Sequence, residues 1–135
     1  METRRAKCFA LVLGVLAACG PLFAHHGNAA YETGKAVVLK DATVTKFVWA
    51  NPHTFVTFDV KDEKGNVVHW VGESGSPASL GLLGWSKSAL HPGDVITVYI
   101  YPSKNGNPVG RLNKIVLTDG TTLKDSALGY REPEQ

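Results

Sequence analysis

Two adjacent histidines, His25 and His26, stand in the stretch LFAHHGNAAYETGK, directly after an apolar run that ends in Phe23-Ala24. Their chemistry depends on what precedes them. A cut after Ala24 would give His25 a free α-amine, whose ordinary pKa of about 7.7–8.0 lets a metal displace its proton at little cost. The amine and the imidazole of His25 would then chelate one ion. Alternatively, the amine, the intervening amide nitrogen and the imidazole of His26 would do so. Nitrogen donors in a tetragonal arrangement select copper(II) or nickel(II), so copper is the cofactor this pair implies. A mobile terminus binds modestly unless a donor from the fold joins it. His53, just after the break Asn51-Pro52, is the candidate for that third ligand. Its alternative role is to cap a turn or face solvent. His69 sits beside Trp70 in a β-prone run and reads as a satisfied sheet histidine, and His91 stands in a turn.

A second set of residues could bind without a metal. Phe47 and Trp49 alternate in one segment, Phe55 opens the next, and Trp70 and Trp85 follow. Such rings are core residues in most domains, but a barrel can also present them for stacking. Trp49, Phe55 and Trp70 are therefore ligand-binding candidates, for a partner protein or a small ligand. Glu73 joins them as the one carboxylate placed at a strand end. Its competing role is to support the N-terminus of the helix that follows. Catalysis finds little support. Gly72-Glu73-Ser74-Gly75-Ser76 lacks the context of a nucleophile elbow. Asp59, Asp62, Glu63 and Glu73 do not have the spacing of a metal-binding loop.

The start of the chain indicates an address. Arg4, Arg5 and Lys7 precede the short apolar run Cys8–Cys19, which falls short of the roughly 20 residues that span a bilayer. A basic start, a short apolar core and small residues beyond it make residues 1–24 a signal peptide. The protein is then periplasmic or secreted. Leu16-Ala17-Ala18-Cys19 supports a competing cut, with Cys19 lipidated and the chain held at a membrane. An uncleaved anchor is a third reading. The chain holds 14 Lys and Arg against 12 Asp and Glu. Three of those bases and one of those acids lie in residues 1–24, so the remainder is neutral. A neutral domain has no broad attraction for phosphate backbones, which argues against a nucleic-acid partner. Both cysteines, Cys8 and Cys19, also fall in the leader, so the remaining domain must rest on its apolar core.

The elements that must position these side chains are mostly strands. Ala36–Trp49 is long and β-prone. Thr54–Val60 puts Val56, Phe58 and Val60 on one face at period two, and Val67–Val71 follows the turn Asp62–Asn66. These three form a meander. Ser76 then reads as an N-cap, with Pro77 at the first helical position, and Gly84 can end the helix. Val95–Tyr101 and Arg111–Thr118 are the fourth and fifth strands. Three strands, a helix and two strands predict an all-β domain with one short helix, a five-stranded OB-like Greek-key barrel. A two-sheet sandwich is the rival. The expected layout is a signal peptide over 1–24, a flexible segment over 25–34, the barrel over 35–124 and a tail over 125–135.

Five short motifs follow one another in order: Ala24-His25-His26-Gly27, Trp49-Ala50-Asn51-Pro52-His53, Gly75-Ser76-Pro77, Gly84-Trp85 and Pro92-Gly93-Asp94. In this order the chain resembles a family of small exported bacterial proteins of unknown function, over about residues 24 to 123. Gly27 stands where that family usually has serine. The resemblance implies export and a cut after Ala24, and brings no activity with it. The sequence therefore predicts an exported β-barrel binding module that takes copper through His25, His26 and His53. The alternative is a metal-free module that binds on its aromatic face.

Overall fold

Alternating apolar residues give this chain its strands, and the strands close on themselves. The structure, a computed structural model, describes residues 30–126. Strands β1 (Val37–Val48), β2 (Phe55–Lys61) and β3 (Val67–Glu73) form the expected meander. Helix α1 (Pro77–Gly81) follows, then β4 (Val95–Pro102), β5 (Val109–Leu117) and a short β6 (Thr122–Lys124). Strand β4 returns to pair with β1, and β5 pairs antiparallel with β4. The ring is completed by a parallel pairing of β3 with β5. The result is a closed five-stranded barrel of OB-like topology, as predicted, with β6 as an additional strand on β5.

Closure depends on two glycines that face each other. Gly72 and Gly110 are partners across the β3–β5 seam, and both are buried. A Cβ on Gly110 would lie 2.5 Å from the backbone oxygen of Tyr101, and one on Gly72 would lie 2.6 Å from a methyl carbon of Leu112. Gly72 thus leaves room for Leu112 of β5, and Gly110 leaves room for Tyr101 and Ile100 of β4, where a side chain would not fit. The sequence reading ends the third strand at Val71. The barrel carries that strand on through Glu73.

The core fills the barrel with Val44, Phe58, Val98, Ile100, Leu112 and Ile115, each 1% exposed or less. A bulge between Val44 and Lys46 shifts the register of β1. Phe47, opposite the buried Val56, therefore packs against the same core as Val44. Helix α1 contributes the fully buried Leu80. Ser76 is its N-cap, accepting from the Ser79 N–H, with Pro77 at the start, as the sequence predicts. Strand β6 was not expected. The Asp119-Gly120 turn folds it back, Leu123 enters the core, and the Trp85 indole N–H donates to the Lys124 carbonyl at 2.8 Å. Among the described residues no helix is long and apolar enough to cross a membrane.

Candidate functional site

Strands β2 and β5 begin on either side of the end of β3, and these three ends make one rim of the barrel. The register puts Val48, Phe55, Glu73, Arg111 and Tyr101 in one row across all five strands. This row lies on the outer face, since their neighbours Val56, Gly72, Leu112 and Ile100 are buried. The β1–β2 connection, with a cis Asn51-Pro52 bond, brings His53 to the same rim.

Glu73 is the hub of the rim. Its Oε1 meets Nδ1 of His53, and its Oε2 accepts the phenol hydrogen of Tyr31 at 2.8 Å. Arg111 lies 3.9 Å from Oε1 and donates through Nε and Nη2 to Asp125 at 3.0 and 2.8 Å. The other oxygen of Asp125 accepts from the Ser74 hydroxyl at 2.5 Å and the Gly75 N–H at 2.9 Å. Two carboxylates and one guanidinium leave the cluster with one net negative charge when His53 is neutral, which favours a cation nearby. The phenol of Tyr31 is pushed up to about 12, chiefly by burial and then by its bond to Glu73. It therefore remains a donor at neutral pH. Thr54, next to His53, is fully buried, and its hydroxyl has no hydrogen-bond partner among the described residues.

The His53 arrangement has a chemical consequence. In a neutral imidazole, a carboxylate at Nδ1 holds the proton there and leaves Nε2 with its lone pair, which is how a carboxylate behind a histidine prepares it for a metal. The His53 side chain is 37% exposed, so an incoming ligand can reach it. His53 alone is not a metal site. Among the described residues no group of three or more His, Cys, Asp or Glu could hold an ion.

The other candidates fall in different places. His25 and His26 lie outside the described residues. Phe55 sits beside Glu73 and opposite Val48, on the outer face, away from Phe47. Trp49 packs against Phe47, which in turn approaches Trp85, at centroid separations of 5.8 and 6.2 Å. Trp70 stacks on the buried Phe58 with their planes 5° apart. The aromatic candidates therefore do not form one surface. His69 is exposed and bonds its cross-strand partner Asp59 at 2.6 Å, and His91 is exposed in its turn beside Asp94.

Sequence reasoning did not find Tyr31, Arg111 or Asp125. No local pattern marks them, since each becomes significant only through a residue far away in the chain. Tyr31 bonds a residue 42 positions on, and Asp125 one 51 positions back.

A family of unknown function, DUF6152, matches residues 12–113, a span that includes His25, His26, His53, Glu73 and Arg111 and stops before Asp125. No curated protein and no solved structure matches the chain. With well over half its length matched, the chain belongs to the DUF6152 family of unknown function.

Proposed function

We propose that this protein is an exported, periplasmic β-barrel binding module that takes copper through His25, His26 and His53. The observation that carries the reading is the bond between Glu73 and Nδ1 of His53, which leaves Nε2 to act as a ligand. The first described residues support it. Ala30 and Tyr31 run along the β4–β5 loop at this rim, through Lys104 N–H to Ala30 O and the Tyr31–Ser103 bridge. His26 is five positions before Tyr31, and five extended residues reach about 17 Å. That is enough chain to bring His25 and His26 to His53. The proposal includes export with cleavage after Ala24, since the chelating amine exists only then. Lipidation at Cys19 would remove it.

Mass spectrometry of the exported protein should find His25 as its first residue. Copper(II) titration should then give one site, weakened about tenfold or more in His53→Ala, as expected when one of three or four donors is lost. Binding no tighter than that of a peptide spanning residues 25–34 would end the reading. A second reading rests on the outer row itself. Phe55 offers an apolar face next to Glu73 and Arg111, where a small polar ligand could be held without metal. Under that reading Phe55→Ala, and not loss of His25 and His26, abolishes capture.

A further inference from the structure

A charged cleft opens at the end of the barrel opposite the rim, where β1 parts from β2. Strand β2 leaves the rim at Phe55 and ends at Lys61, paired with β3 throughout. Its pairing with β1 stops at Thr43 and Asp59. Toward its N-terminus β1 then follows β4 alone, through a bulge that inserts Lys40 and Asp41 between the pairs Leu39–Val98 and Ala42–Ile96. Asp41 takes a left-handed conformation there, with φ 54°, and the strand bends away from β2. The cleft between the diverging strands has a volume of about 580 Å³, which suits a small ligand. Val60 and Val67 supply its apolar surface, and Lys40, Asp41, Asp59 and Lys61 supply its charges.

Two features define what the cleft can hold. The first is an unpaired strand edge. Asp62 donates its N–H to the Asn66 carbonyl at 2.8 Å, across the β2–β3 turn. Backbone groups alternate sides along a strand, so Lys61 turns its N–H and C=O the other way, into the space that β1 has left. The second feature is charge of both signs. His69 takes one oxygen of Asp59, at 2.6 Å, while Lys40, Asp41 and Lys61 have no ion pair among the described residues. A simple anion gains at the two ammoniums and loses at the two carboxylates, and a simple cation does the reverse. A ligand that carries both charges gains at each end. Asp59 and Lys61 lie on one face of β2, separated by two strand rises, roughly 7 Å, and a chain of two extended residues is about as long. We propose that the cleft binds a zwitterionic dipeptide, with its ammonium at Asp59 and Asp41, its carboxylate at Lys61 and Lys40, and its peptide unit on the open edge of β2. The proposal is independent of the copper reading.

The test follows the backbone amide signals of the isotope-labelled protein, without metal, as three probes are added. L-alanyl-L-alanine should shift the signals of Asp41, Thr43, Asp59, Lys61 and Val67 and leave those of Glu73 and Arg111 in place. The shifts should saturate with a dissociation constant on the order of 1 mM, as fits a small ligand in an open cleft. The N-acetylated dipeptide lacks the ammonium, and the dipeptide amide lacks the carboxylate. Each should bind about two- to fivefold more weakly, the effect of losing one exposed ion pair. Lys61→Gln should weaken the free dipeptide by a similar factor and leave the dipeptide amide unaffected. Asp59→Asn should weaken the free dipeptide and leave the N-acetylated form unaffected, because each variant removes a contact that the capped probe never makes. Capped probes that bind the wild type as tightly as the free dipeptide would overturn the proposal. So would shifts that fail to saturate, or that gather at Glu73 and Arg111 instead.

Discussion

Tyr31 carries the clearest consequence at the scale of single residues. Its folded-state pKa of about 12 lies above the ordinary 10.0, with burial as the larger cause and Glu73 as the second. The folded protein therefore keeps a proton that the unfolded chain releases first. The contribution to stability is fully present below pH 10 and is lost as the pH rises toward 12. Subtracting the phenolate absorbance titration of Tyr31→Phe from that of the wild type should isolate one tyrosine with a midpoint near 12. A midpoint near 10 would mean that Tyr31 is not held at Glu73. The value of Glu73 was partly legible from its place at the end of a strand. Its partners were not: the β2–β3 pairing brings His53 to it from 20 positions before, and Tyr31, 42 positions before it, arrives only by docking on the β4–β5 loop.

The decisive elements are β3 and β5, whose parallel seam turns a sheet into a barrel. Gly72 and Gly110 face each other there, and Gly110 would put a Cβ 2.5 Å from a backbone oxygen that cannot rotate away. Gly110→Ala is expected to cost about 1–3 kcal/mol, the range for overpacking a well-filled interior. Urea unfolding measures this, and an unchanged midpoint would show the β4–β5 contact at Gly110 to be looser than described. The same seam aligns Glu73 with Arg111. The helix shows the opposite case. Ser76 and Pro77 specify its start through contacts within four residues, so its position was legible in advance. The β6 strand was not, because three residues carry too short a pattern to stand out, and its Leu123 gains meaning only inside the core.

At the scale of the whole molecule, Asp125 ties the end of the described chain to its middle. It takes two bonds from Arg111, one from the hydroxyl of the fully buried Ser74 and one from the Gly75 N–H. Asp125→Ala leaves those donors unsatisfied, and the expected cost is about 2–4 kcal/mol, between losing a charged hydrogen bond and breaking a buried pair. The urea midpoint should fall while the slope stays the same, because the surface exposed on unfolding is unchanged. A fall in slope instead would mark β6 and the residues after it as a separately fraying unit. By itself the sequence determined what repeats or acts locally: strand period, turn glycines, the helix cap, the count and order of elements, and from these the barrel. It also singled out His53 and Glu73 as residues to watch. Only the tertiary structure decided that Tyr31 joins these two and that Arg111 and Asp125 brace them. The physical reason is range. Periodicity and capping act over a few residues and the meander over neighbouring strands, whereas Tyr31, Arg111 and Asp125 come from segments that reach Glu73 only in the folded barrel.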